Sequence, residues 1–226
     1  MRTEPVVLVH GWGGSFERTW AEVGWDALLH DAGRRVIPVD LPGHGKADKP
    51  HHPEAYADLA AALAALLPDE PVDAVGFSLG AATLLELACR APDRFGRLVV
   101  AGVGESLFRE GDAERLALAV EGHADPEDVH AQVFATYAGE PGQARAALAA
   151  CLRRRGAPLT AERLAAVRLP VLVALGDRDF AGPADALVAA LPDATFLSLP
   201  GCDHFATPKD FRFLDGALEF LDAVPA

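Results

Sequence analysis

The chain has 226 residues, half of them hydrophobic, and a formal net charge of −13. That size supports one substantial core, and the acidic balance, with no basic stripe of interleaved aromatics, argues against nucleic acid as a partner. No apolar run is long enough to cross a bilayer, and Met1 to Pro5 leads directly into an apolar strand, so a cytoplasmic protein with no membrane partner is expected. The three cysteines, Cys89, Cys151 and Cys202, are odd in number and widely spaced, which fits neither a disulfide framework nor a zinc ribbon.

Apolar and helical segments alternate along the chain. Val6 to His10 reads as the first strand. Phe16 to Ala32 reads as a helix with Trp20, Val23, Leu28 and Leu29 on a buried side and Gly33 near its end. Arg35 to Asp40 is the second strand, and Pro53 to Leu67 an alanine–leucine helix stopped by Pro68. Val72 to Phe77 is a strand, Leu79 to Arg90 a helix, and Leu98 to Val103 the fourth strand.

The alternation then breaks. From Gly104 to Val167 only helical pieces appear: Leu107 to Glu121, Pro126 to Tyr137, Pro141 to Arg155 and Thr160 to Val167. It resumes with a strand over Val171 to Leu175, a helix over Pro183 to Leu191, a strand over Thr195 to Leu199 and a last helix over Asp210 to Ala223. This order implies an α/β fold with a mostly parallel sheet of about six strands, helices on both faces and right-handed crossovers. Residues 1–103 and 168–226 form the expected core, and 104–167 a small helical cap inserted over the carboxyl edge of the sheet, where ligands of such sheets bind.

Gly76-Phe77-Ser78-Leu79-Gly80, between a strand and a helix, fits the G-x-S-x-G nucleophile elbow. The flanking residues must be small because a strand turning directly into a helix brings backbones into near contact. The turn also aims the first N–H groups of the helix at the serine hydroxyl. The plainer alternative is a helix cap by Ser78. A serine nucleophile needs a base and a carboxylate to orient that base, both at strand ends. One strand runs into Gly176-Asp177-Arg178-Asp179 and the next into Pro200-Gly201-Cys202-Asp203-His204-Phe205, so either Asp177 or Asp179 has a suitable position. Cys202, near His204, is more naturally a bystander than a nucleophile. No histidine pair has helical metal-ligand spacing, and no G-x-G-x-x-G follows the first strand, so no metal, nucleotide or other cofactor is expected.

With His10-Gly11-Trp12-Gly13 and Asp40-Leu41-Pro42-Gly43-His44-Gly45 added to these motifs, the chain resembles the α/β-hydrolase family, serine-esterase branch, over essentially its whole length. The resemblance implies Ser78 as nucleophile, His204 as general base and then acid, and Asp179 rather than Asp177 as the orienting carboxylate. It implies the backbone N–H groups of Leu79 and Trp12 as the oxyanion hole, and makes His10 and His44 structural supports. His51, His52, His123 and His130 are expected to be exposed.

Apolar residues of the cap and loops, Phe108, Phe134, Tyr137, Phe180 and Phe205 with Leu107 and Trp12, are expected to line an acyl pocket or to fasten the cap to the core. Gly-Trp-Gly, the Ser78 elbow and the helical cap are similar to the pimeloyl-carrier-protein methyl ester esterases. That implies a small-molecule ester substrate, with an acyl-carrier-linked ester within the same class. Arg145, Arg153, Arg154, Arg155, Arg163 and Arg168 either dock such a partner or, for Arg153 to Arg155, complement a helix C-terminus. Hydrolysis of a carbon–carbon bond or lactone, cofactor-free perhydrolysis, or ligand reception with little turnover would use the same residues.

Overall fold

The computed structural model describes residues 2–109, 111–156 and 158–225. Its centre is one six-stranded sheet: β1 (Val6–Val9), β2 (Val36–Val39), β3 (Val72–Phe77), β4 (Phe95–Ala101), β5 (Val171–Gly176) and β6 (Ala194–Leu199). The spatial order is β2-β1-β3-β4-β5-β6 and every pairing is parallel. Side chains alternate between the two faces, as the two-residue period of a strand requires. Val7, Val9, Ala74, Val100 and Val173 join one core cluster; Val6, Leu8, Val75, Val99 and Ala174 join the other. Burial on both faces is why these strands are continuous runs of Val, Leu and Ala rather than alternating apolar and polar.

Two predicted helices of the core are each two elements, and the predicted helix 107–121 of the insertion is likewise divided. The stretch 16–32 is a π turn over Glu17–Ala21 followed by α1 (Trp25–Asp31). Gly24, at φ 91°, breaks the run between them. The stretch 53–67 is a 3₁₀ turn over Pro53–Tyr56 and α2 (Leu59–Ala64), which restarts where the Asp58 carboxylate accepts the Ala61 N–H at 2.9 Å. α3 (Leu79–Arg90) and β3 have the expected bounds. β4 begins three residues earlier than expected and ends at Ala101, because Gly102 turns left-handed at φ 66°.

Between β4 and β5 lie a 3₁₀ turn over Glu105–Phe108, α4 (Ala113–Leu118), a π turn over Ala119–His123, α5 (Val129–Ala138), α6 (Arg145–Leu152) and α7 (Ala161–Leu164). Ala117, Val120, Ala138, Leu148 and Ala149 pack into a small cluster of their own, with Trp12 and Phe134 against it. On α6, Ala150 and Cys151 belong instead to the main core. α8 (Asp185–Ala190) and α9 (Phe211–Phe220) complete the chain, α9 burying Phe213, Ala217 and Leu218.

At the amino edge of the sheet, the fully buried Arg34 donates a hydrogen bond from each of its three guanidinium nitrogens. It donates to Asp73 at 2.6 Å, to the Glu4 carbonyl at 2.9 Å and to the Leu221 carbonyl at 2.7 Å. A charge at that depth is tolerable only when paired and fully hydrogen-bonded. No helix among the described residues is long and apolar enough to cross a membrane.

Candidate active site

The turn from β3 into α3 is as tight as a strand meeting a helix allows. A Cβ on Gly76 would lie 2.8 Å from the Ala81 Cα, and one on Gly80 only 2.2 Å from the Val9 carbonyl oxygen. Ser78 itself is held at φ 52°, ψ −112°, a conformation L residues rarely adopt. Its side chain makes no capping bond to α3, which removes the helix-cap alternative. Instead, Oγ lies 3.0 Å from His204 Nε2.

His204 follows β6. Its Nδ1 lies 2.9 and 3.0 Å from the two carboxylate oxygens of Asp179, in the loop after β5. A carboxylate accepts, so the ring proton is on Nδ1, and Nε2 is left to accept from Ser78. His204 and Asp179 are both buried, and Asp179 is held further by the Ala181 N–H at 2.8 Å. The neighbouring carboxylate, Asp177, points elsewhere: it accepts the Gly201 N–H at 2.7 Å and so fastens the turn that precedes His204. The loops after β5 and β6 pass so closely that a Cβ on Gly176 would lie 2.1 Å from the Cys202 carbonyl oxygen. The imidazole of His204 packs against Phe180, at 4.2 Å between ring centroids, and against Phe77, at 4.9 Å. Cys202 is buried, its thiol directed to the Asp203 carbonyl, and burial pushes its pKa up, which disfavours the thiolate.

The loop after β1 crosses directly over this turn: a Cβ on Gly11 would lie 3.3 Å from the Ser78 Cβ. The Gly11 carbonyl is turned into the loop, accepting from Gly14 N–H at 3.0 Å and from His10 Nδ1 at 2.7 Å. In a trans peptide the N–H opposes the C=O, so the Trp12 N–H faces outward. His10 is fully buried and neutral, because Leu41 N–H donates to its Nε2 at 3.1 Å and burial pushes its pKa down. His44 packs 5.1 Å away, its pKa pushed down to about 3 by burial and by His10. On the elbow side, the Leu79 N–H belongs to the first turn of α3, where no i−4 carbonyl is available.

Ser78 and His204 open onto a cavity of about 270 Å³. Trp12, Phe77, Phe134, Tyr137 and Phe205 line it, with Arg18, Glu22, Glu140 and Lys209 also in its wall. Of the residues expected there, Trp12, Phe134, Tyr137 and Phe205 are present. Phe108 is not, and packs with Leu107 against the main core instead. Phe180 is also absent from the lining; it is 49% exposed and covers His204 from outside. His130 is not exposed as expected but half-buried against Phe134 and Phe180. Phe77 carries no separate signal in the sequence, although its place inside the elbow motif puts it beside any base that reaches Ser78. Gln143, whose amide donates to the Gly13 carbonyl, carries no sequence signal at all.

Among known proteins, the model of the alpha/beta hydrolase family matches residues 6–215. Esterase Rv0045c of Mycobacterium tuberculosis is 36% identical over 109 residues, covering 46% of this chain and 34% of that protein. The pimeloyl-[acyl-carrier protein] methyl ester esterase of Aromatoleum aromaticum is 41% identical over 106 residues, covering 45% of this chain and 38% of that protein. The matches therefore span little more than a third of those curated relatives. A solved hydrolase from Pseudomonas aeruginosa PA01 superimposes with a TM-score of 0.74 at 24% identity, over 98% of this chain and 91% of that one, a likeness of fold. With a parallel sheet of this order and a family match that runs from β1 into α9, the chain belongs to the alpha/beta hydrolase family.

Proposed function

We propose that this protein is a serine hydrolase that cleaves carboxylic esters of small to medium acyl chains through an acyl-enzyme intermediate. The observation that carries the reading is the unbroken hydrogen-bonded chain Ser78 Oγ–His204 Nε2 and His204 Nδ1–Asp179, opening on one cavity. In the first step the Ser78 oxygen bonds to the ester carbonyl carbon while its proton passes to His204 Nε2, and the carbonyl π electrons move onto oxygen. The N–H groups of Leu79 and Trp12 would receive that oxyanion, each such donor contributing about 3 kcal/mol in enzymes where it has been removed. Collapse breaks the bond to the alkoxy oxygen, which leaves as the alcohol with the proton from His204. Water then repeats the sequence on the acyl-enzyme, His204 taking its proton, and the carboxylic acid departs.

Residues 104–167 act in this reading as a cap over the cavity. A volume of about 270 Å³ is small for a ligand site, which suits short and medium acyl groups. A carrier-linked ester is the substrate named for one relative. Several of the cap arginines are already engaged within the molecule: Arg153 bonds Glu114 and Glu121, Arg145 the Val120 carbonyl, and Arg154 the Cys151 carbonyl in the last turn of α6. A free small-molecule ester therefore ranks ahead of a docked carrier.

The test is a series of p-nitrophenyl esters of increasing chain length, run beside Ser78→Ala. Cleavage of the short and medium esters, abolished by the substitution, is the expected result. Equal turnover in the variant would sink the serine assignment. Turnover confined to lactones or carbon–carbon substrates would move the reaction but not the residues.

A further inference from the structure

The two oxyanion donors of the proposed reaction are held in different ways. Leu79 is fixed by the elbow and by α3. Trp12 lies in Gly11-Trp12-Gly13-Gly14, where three glycines of four leave the backbone little intrinsic stiffness. Gly13 is moreover at φ 72°. Such a stretch keeps one conformation only if its carbonyls and side chains are held from outside.

His10 holds the first peptide from the core side, as described above. The remaining restraints come from the inserted helices. The Gln143 side-chain amide donates to the Gly13 carbonyl, and the Trp12 indole N–H donates to the Leu148 carbonyl on α6 at 3.1 Å. The Tyr137 ring lies over Gly13 so closely that a Cβ there would meet it at 2.8 Å. Just past the loop, in the π turn Glu17–Ala21, Arg18 pairs with Glu140. Four contacts thus join a twelve-residue stretch of the insertion, 137–148, to residues 12–18 of the core.

We propose that Gln143 is a positioning residue for the oxyanion hole: by holding the Gly13 carbonyl from the insertion, it fixes the Gly-rich loop so that the Trp12 N–H meets the developing charge. The proposal rests on the serine-hydrolase reading. The cap then supplies part of the catalytic geometry in addition to covering the acyl cavity, and the hole is complete only while residues 137–148 are docked.

The experiment compares Gln143→Met, which keeps length but has no donor, with Gln143→Lys, which restores an N–H donor of similar reach. A misplaced loop loses transition-state binding and leaves substrate binding alone. Gln143→Met is therefore expected to lower kcat about tenfold with KM within twofold, part of the hundredfold or more that loss of a whole donor costs. Gln143→Lys should recover most of that loss. The affinity of a trifluoromethyl ketone, which forms a tetrahedral oxyanion on a serine, should fall in parallel with kcat. Arg153→Ala, which loosens the same helices by removing the pairs to Glu114 and Glu121 without touching the loop, should leave kcat within twofold.

Amide hydrogen exchange at residues 11–14 in Gln143→Met needs no activity and should quicken. An unchanged kcat in Gln143→Met, or an equal loss in Arg153→Ala, overturns the proposal. If instead Ser78→Ala keeps its turnover, the hydrolase reading falls, and unchanged exchange at residues 11–14 then overturns the loop restraint by itself.

Discussion

At Ser78 the backbone is kept at φ 52° by its surroundings: the Ser78 N–H donates to the Ala101 carbonyl at 2.8 Å, and the flanking glycines admit no side chain. Strain of about 1–3 kcal/mol at such a position persists only where the structure around it over-determines the geometry. The two aspartates after β5 show how finely the roles divide within one loop. Asp179→Asn would present an amide to His204 Nδ1 and disturb its tautomer, so kcat should fall about 10³- to 10⁴-fold in steady-state assays of ester cleavage. Asp177→Asn keeps an acceptor for the Gly201 N–H and lies outside the hydrogen-bonded chain from Ser78 to Asp179, so it should change kcat by no more than about twofold. Strand-end position was readable from the sequence, and it left both aspartates open. Which one reaches the histidine depends on loop curvature, and no local pattern encodes that. Phe108 and Phe180 illustrate the same point from the other side, since composition marks an aromatic as apolar without saying which surface it covers.

Among the elements, the long apolar segments with one period, β3 and α3, could be bounded from sequence because strand and helix each bury a full face there. The stretch 16–32 could not. Its apolar spacing continues across Gly24, and only the left-handed backbone at that residue divides it into a π turn and α1. The division has a use: it turns Trp25 inward, where its ring packs at 5.1 Å from both Trp20 and Phe213. Its indole N–H donates to the Pro208 carbonyl at 3.0 Å, beyond the His204 loop. Trp25→Phe retains most of the packing and leaves that carbonyl without its donor. A loss of about 1–3 kcal/mol in urea unfolding is expected, with kcat for ester cleavage nearly unchanged. A large fall in kcat would instead mean that Pro208 helps to set the His204 loop.

For the whole molecule, alternation of strand and helix sufficed to infer a parallel sheet covered on both faces, because only that arrangement buries runs of Val and Leu from both sides. The sequence did not reveal what closes the amino edge: Arg34 joining Glu4, Asp73 and Leu221 depends on residues up to 187 positions apart. Acid stability is also a property of the whole. His44 titrates at about 3 when folded against an ordinary value near 6.5, so the unfolded chain binds the extra proton. Stability is therefore fully present above pH 6.5 and is lost as pH falls towards 3, and His10, also pushed down, acts in the same direction. His44 alone should remove about 2 kcal/mol between pH 7 and pH 5, and His44→Gln should flatten that slope in unfolding measured across this range. A slope unchanged by the substitution would mean that His44 is not the group responsible. The chain has three tryptophans, of which Trp20 and Trp25 are wholly enclosed while Trp12 is half-buried in the cavity wall. Acrylamide should quench the emission of Trp12 alone, and a molecule filling the cavity should shield it. The protein thus carries an intrinsic optical probe of occupancy, and Ser78→Ala protein, which the serine-hydrolase reading makes inert, can be titrated with unlabelled compounds to learn which of them it accepts.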